Sequence, residues 1–211
     1  MQLTKFGHCC LLIEEKGVRI LTDPGIFSNG QNDLTNLDLI LITHEHIDHC
    51  QIESLKLILQ NNPTANIITN SSVAAILEKE GISSEVVEDS EVYEVKGIKV
   101  EGCGDTHATI YPTLPKIQNI GYFIADSLFY PGDVFYNPKR RVDILALPIA
   151  GPWMKMSEAL DFAKELSPRI CVPVHDGILS NPSWFYRNPK LILEPLGIKF
   201  LEIENNKTVQ L

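Results

Sequence analysis

Asp38-Leu-Ile-Leu-Ile-Thr-His-Glu-His-Ile-Asp-His49 is the stretch whose reading decides the fold. Its first half is an apolar, β-branched run of the kind buried on both faces of a sheet. Residues 52–60, which follow it, read as a short amphipathic helix. His44, His46, Asp48 and His49 therefore sit on the turn at the C-terminal end of a core strand, where open α/β sheets place their sites. In near-extended backbone, a spacing of i, i+2 points His44 and His46 the same way. Asp48 and His49 lie past the bend and face a second point close by. The plainest alternative is a polar turn with solvated histidines. Three imidazoles and a carboxylate this close, however, repel and desolvate one another unless a cation joins them. Imidazole with carboxylate suits zinc, and also iron or manganese.

The motif resembles the signature of the metallo-β-lactamase fold hydrolases, and the resemblance extends along the chain. In that family a lone His follows, then an Asp in a Gly-Asp turn, then a His after a late strand. His107 in Gly104-Asp-Thr-His107, Asp133 in Tyr130-Pro-Gly-Asp133 and His175 in Val172-Pro-Val-His175 match those positions. The resemblance implies one metal on His44, His46 and His107. A second falls to Asp48, His49 and His175, with Asp133 bridging the two. It also implies a metal-activated water as nucleophile, with Asp48 orienting it, or acting as its base if a single metal is present. Zinc is the default, two ions per chain, with manganese or iron as alternatives. Gly7-His8 and Leu147-Pro-Ile-Ala-Gly-Pro-Trp-Met154 look more like the branch that contains ascorbate-6-phosphate lactonase and its uncharacterised relatives.

Composition bounds the rest. At 211 residues, with 44% apolar and 21% charged side chains, the chain reads as one ordinary globular domain over 1–211. The net charge of −9 argues against nucleic-acid binding through a broad basic face. The N-terminal apolar run Cys9–Ile13 is too short for a signal peptide or membrane span. Five cysteines without C-x-x-C pairing fit a reducing cytosol. The expected setting is the cytoplasm.

Taken in order, strands are expected at Cys9–Glu14, Val18–Thr22, 38–43 and Ala65–Thr69, and again between Val86 and Gly102. Asp23-Pro-Gly25 reads as a turn, and Ser71 or Ser72 as the cap of a helix reaching Lys79. The second half offers a hairpin over 121–130, strands at 143–149 and 169–174, a helix at 157–166, a last helix near 189–194, and strands at 198–203 and 208–211. Two helix-bearing, strand-rich halves predict an α+β, four-layer αββα sandwich.

The substrate side is less determined. Tyr111, Trp153, Trp184, Phe185 and Tyr186 lie on loop-like stretches, as substrate walls or as core and interface residues, and Trp153 is the preferred wall. The resemblance brings His8 near the mouth of the site, where it is either a substrate contact or, as its own setting favours, a hydrogen-bonded structural histidine. Asp105 and Asp176 adjoin metal-type histidines and are candidate acceptors for imidazole N–H groups. Lys155, Arg140 and Arg141 are candidate anion contacts or plain surface charges. Cys50 and Cys103 are expected to pack. The expected function is hydrolysis of a small anionic ester, lactone or phosphodiester, lactonase-like first. The alternatives are a phosphodiesterase, or a non-catalytic metal- or ligand-binding module. No membrane partner is expected, and exposed aromatics at 184–186 point to a homo-oligomer contact.

Overall fold

A computed structural model describes all residues, Met1–Leu211. The strands form two seven-stranded mixed sheets. The first runs β14(Lys207–Gln210), β1(Gln2–Lys5), β2(Leu11–Glu15), β3(Val18–Thr22), β4(Leu39–Leu41), β5(Asn66–Thr69), β6(Glu85–Val86). The second runs β13(Lys199–Phe200), β12(Ile170–Val174), β11(Ile144–Pro148), β10(Leu128–Tyr130), β9(Gly121–Ile124), β8(Ile98–Cys103), β7(Val92–Val95). Helices α1(Ile52–Asn61) and α2(Ser71–Lys79) cover the first sheet, and α3(Met156–Leu166) and α4(Pro182–Leu193) the second.

Why the central strands read as unbroken apolar runs is visible in where alternate side chains go. Leu39 and Leu41 face the core between the sheets, while Ile40 and Ile42 pack with Leu55 and Ile58 of α1. On β11, Ile144 and Ala146 face the intersheet core, and Leu145 and Leu147 meet Leu160 and Ala163 of α3. A strand covered on both faces has no polar side to show. The layering is therefore helix, sheet, sheet, helix, as the sequence predicts.

Several boundaries differ from expectation. β1 is an additional strand, paired with both β2 and β14. Asn70, not Ser71 or Ser72, caps α2, its side chain accepting the Val73 N–H at 3.0 Å. The last helix starts at Pro182, not near 189, and carries Pro189 within it. Its first turn tolerates Pro182 because proline's missing N–H would have no helical partner at that position. Residues 184–186 are therefore helical rather than loop. Trp184 is 75% exposed, Phe185 is exposed, and Tyr186 is buried against Phe200.

The parallel pairings β3–β4–β5 and β10–β11–β12 bring the C-terminal ends of their strands to one edge. Asp23 and His175 follow directly after β3 and β12, and Thr43 and Asp133 lie two and three residues past the ends of β4 and β10. Gly25 shows how tightly that edge is built. A Cβ there would stand 1.8 Å from the carbonyl oxygen of Asp48 and 2.6 Å from the His49 nitrogen. Asp23-Pro-Gly25 is thus a contact with the 43–49 loop as well as a turn. Gly25→Ala is expected to cost about 3 kcal/mol through backbone displacement, lowering Tm by roughly 6–12 °C for a chain of this length. Thermal melting checks this, and an unchanged Tm would show that the loop yields at little cost.

Candidate metal centre

Seven side chains converge where the strand ends meet. His44 Nε2 and His46 Nδ1 are 3.0 Å apart, and ligand atoms of these two, His107 and Asp133 all lie within 4.8 Å of one another. Beside them, Asp48 Oδ2 stands 3.8 Å from His49 Nε2 and 3.7 Å from His175 Nε2. Asp133 lies between the two groups. Its Oδ1 is 3.3 Å from His49 Nε2, and its Oδ2 is 2.9 Å from His175 Nε2 and 3.5 Å from His107 Nε2. The structure therefore brings His44, His46, Asp48, His49, His107, Asp133 and His175 to a single centre made of two halves that share one carboxylate.

Outer partners set which imidazole nitrogen faces inward. Thr43 donates its hydroxyl proton to Asp23 Oδ2 at 2.7 Å, so its oxygen accepts from His44 Nδ1–H at 2.9 Å. His44 Nε2 is left with its lone pair towards the centre. His49 Nδ1–H donates to Asp23 Oδ2 at 2.7 Å, and His107 Nδ1–H to the carbonyl of Ala108 at 2.5 Å. Asp23, fully buried, also accepts the Thr43 N–H at 2.8 Å and the Tyr130 hydroxyl. Four donors on one carboxylate satisfy a charge that has no access to water.

A test of whether these residues suit a cation is what their inward atoms find. His49 Nε2, His107 Nε2, both ring nitrogens of His175 and Asp133 Oδ1 are buried without any hydrogen-bond partner. Elsewhere the chain leaves only Arg19 Nε and Gln31 Oε1 in that condition. An orphaned buried polar atom costs roughly 1–3 kcal/mol, so such a concentration is stable only around a ligand that accepts lone pairs. A donor set dominated by imidazole and carboxylate fits a borderline divalent ion.

The electrostatics agree. Burial, with the neighbouring His49, holds His44 well below the ordinary imidazole range, and burial with His107 lowers His46. Both stay neutral and ready to ligate. Burial would raise the carboxyls of Asp133 and Asp48, but the surrounding imidazoles outweigh it. Asp133 falls well below the usual range, and Asp48, bonded by His8, falls to about 2. Burial opposes a proton on His49, yet Asp133, Cys9 and Asp23 push that imidazole well above its ordinary value. A proton there occupies the position a cation would take.

The remaining expected residues divide. Tyr111 is 63% exposed beside a cleft floored by His46 and His107. Trp153 is not an open wall: it is 8% exposed, and its indole N–H donates to Asp133 Oδ2 at 2.8 Å. It acts on the centre by fixing the shared carboxylate. His8 is 1% exposed, so its reading as a substrate contact gives way to the hydrogen-bonded one. Its Nδ1 accepts the Gly177 N–H at 3.1 Å, which puts its proton on Nε2, 3.1 Å from Asp48 Oδ2. Asp105 and Asp176 are not acceptors for imidazole. Asp105 takes the Thr106 hydroxyl, and Asp176 takes Lys5 Nζ and the Tyr186 hydroxyl. Arg140 is engaged by Glu101 and lies over Phe123. The Lys155 N–H donates to Glu158 in the first turn of α3. Cys50 and Cys103 pack in the two helix-facing cores.

Asp23, Asn119 and Cys9 were not singled out by the sequence. Asn119 accepts the Asp133 N–H at 3.0 Å and donates to the Pro131 carbonyl, holding the Pro-Gly-Asp turn. The Cys9 sulfur lies within 4.8 Å of ligand atoms of His8, His49 and His175. The available signal for Asp23 was a carboxylate directly after a buried strand, the position its neighbours share.

A mixed αββα sandwich carrying this cluster on one edge defines the metallo-β-lactamase class. The chain belongs to it: the family described as beta-lactamase superfamily domain matches residues 2–175. Among its relatives, the protein Rv0786c of Mycobacterium tuberculosis is 42% identical over 185 residues, covering 85% of this chain and 86% of the other. A UPF0173 metal-dependent hydrolase of Thermoplasma acidophilum is 29% identical over 198 residues, covering 85% and 86%. The solved structure of Igni18, a metallo hydrolase of Ignicoccus hospitalis, superposes with a TM-score of 0.76 at 24% identity, over 99% of this chain and 97% of that one.

Two outcomes are expected. Elemental analysis should give close to two divalent ions per wild-type chain and clearly fewer for Asp133→Ala; equal contents would remove Asp133 from the centre. Asp23→Asn sets an amide against hydroxyl and imidazole donors. It should lower metal affinity by roughly 10–100-fold in chelator competition and destabilise the metal-free protein by about 3 kcal/mol.

Proposed function

We propose that the chain is a metal-dependent hydrolase directing an activated water at a small ester-type bond, with lactones as the first substrate class. The observation that carries this reading is Asp133 standing between two groups of histidines, 3.5 Å from His107 on one side and 3.3 and 2.9 Å from His49 and His175 on the other, with five buried ligand-type atoms there left without a hydrogen-bond partner. Three protein donors and a shared carboxylate on each side leave coordination positions for water and substrate. Zinc, two per chain, suits the donors best, and manganese or iron are the alternatives.

When bound, divalent cations supply a Lewis acid for the substrate carbonyl oxygen and lower the pKa of water. The chain's own residues then divide the work. His8 Nε2–H fixes one oxygen of Asp48 at 3.1 Å, which orients this carboxylate as the residue that aligns the attacking water. A carboxyl group held near 2 is ionised throughout the neutral range and is too weak a base to retain the proton. Water oxygen bonds to the acyl carbon, the acyl C–O bond breaks, and the proton ends on the departing alcohol oxygen, giving a hydroxy acid. Trp153, packed on Phe135 at 5.2 Å, closes one wall against bulk water.

Lactones are placed ahead of phosphodiesters because no arginine lines the cleft beside His46 and His107, and Arg140, one of the candidate anion contacts, is held by Glu101. The substrate is a small molecule, with no nucleic-acid or membrane partner, and no helix is long and apolar enough to cross a membrane. Five buried, unpaired cysteines support a cytoplasmic setting. Trp184 and Leu191, both exposed on α4, support self-association through that helix.

The test compares metal-loaded wild type and His46→Ala on panels of lactones, aryl esters and phosphodiesters. Lactone turnover should fall in the variant by more than the roughly 10–100-fold typical of losing an outer partner. The same background rate for both proteins on every panel would leave a metal-binding module without turnover.

A further inference from the structure

Next to the centre is a cleft of about 330 Å³ whose floor includes His46 and His107. Its wall comes from the loop between β8 and β9, chiefly Ile110, Tyr111, Leu114 and Ile117. Tyr111 and Leu114 are 63% and 53% exposed, although an apolar core lies a few residues away on either side. Isolated exposed apolar residues are ordinary, but several converging on a concave surface beside a reactive centre are the makings of a binding site.

The loop is not loose at its base. His107 N–H donates to the Ile117 carbonyl at 2.9 Å, Ala108 N–H to the Asp133 carbonyl at 2.9 Å, and Thr106 bridges to Gln118. The backbone that carries the cleft is thereby tied at two candidate ligands.

Its charges are sparse. Glu45 turns one carboxylate oxygen to the Ser72 hydroxyl at 2.6 Å, and Lys116 lies exposed at the rim. No arginine lines it. A larger cleft, about 550 Å³ between α2 and β6, shares no lining residue with the centre and offers only Glu78 as a charged group.

We propose that the cleft of the 107–117 loop is the subsite for an apolar substituent, an alkyl chain or aromatic ring, on the ester or lactone that the centre hydrolyses. This rests on the hydrolase reading for the reaction, but not for the binding. It deepens that reading, since specificity then comes from a hydrophobic group rather than from a second anionic one. The volume is at the low end of small-molecule pockets, which run roughly 300–1,000 Å³. A medium-length chain or one ring fits that range.

The experiment has a binding arm and a turnover arm. Straight-chain carboxylates from acetate to decanoate are titrated calorimetrically into the metal-loaded protein, and into Leu114→Asp and Tyr111→Ala. Lactones with side chains from methyl to octyl are then assayed on the same three proteins. Affinity and kcat/KM should rise about three- to fourfold per methylene until the cleft is full. Leu114→Asp should flatten both series while metal content stays at the wild-type level. A flat series in the wild type, or a slope that survives in both variants, overturns the subsite. A slope in binding with no lactone turnover leaves the subsite standing and overturns the hydrolase reading instead.

Discussion

A carboxylate with no route to water, Asp23, is the constraint on which the rest of the site depends. It follows β3 and receives the backbone and hydroxyl of Thr43 after β4, the imidazole of His49, and the hydroxyl of Tyr130 from the opposite sheet. One buried charge thus ties both sheets to the 43–49 loop. An unpaired carboxylate there would be strongly destabilising, so the donors and the charge are stable only together. This is how a loop without regular secondary structure holds two imidazoles in fixed tautomers.

Backbone geometry carries the same logic. His8, Asp23 and His175 all have positive φ, at 49°, 34° and 59°, a region where residues other than glycine are uncommon. Each such residue costs of order 1–3 kcal/mol and persists where its surroundings over-determine it. His175 donates its N–H to the His8 carbonyl, and the Gly177 N–H reaches back to the His8 ring, so two of the three brace each other. Gly132 serves the same end at φ 67°: a Cβ there would meet Asn119 Oδ1 at 2.4 Å. Asn119 could then no longer hold the turn that presents Asp133.

What the sequence made legible, and what it hid, follows from range. The strand Leu39–Leu41, the helix after it and the layering were readable because periodicity and apolar runs are local signals. The seven candidate ligands were readable because their types and spacing resemble a known family's, and they do come together. His8 was readable as a hydrogen-bonded histidine but not its partners, and the role of Trp153 was not readable, since nothing local tells an indole that walls a substrate from one bonded to Asp133, twenty positions earlier in the chain. Asp105 and Asp176 misled for the same reason. Adjacency to a ligand in sequence put neither carboxylate near a ring nitrogen, and the acceptor for His49 came from residue 23. The start of α4 was missed because Pro189 reads as a helix start, while Pro182 is the proline in the first turn.

The centre and the cleft beside it also explain each other. Five imidazoles and two carboxylates concentrate charge and its partners in a small buried volume, and the loop adjoining them is apolar. Water excluded by an apolar wall cannot compete for the donors aimed at a developing charge, so their effect on it is stronger than it would be in an open polar groove. A substrate that fills the wall with its own hydrocarbon completes that exclusion at the moment of reaction. The binding energy of the remote group is then spent on positioning, as His107 is fixed by the same hydrogen bonds that fix the wall. On this arrangement the selectivity of the site lies in the 107–117 loop and its reactivity in the strand ends, and the backbone of His107 is where the two are joined.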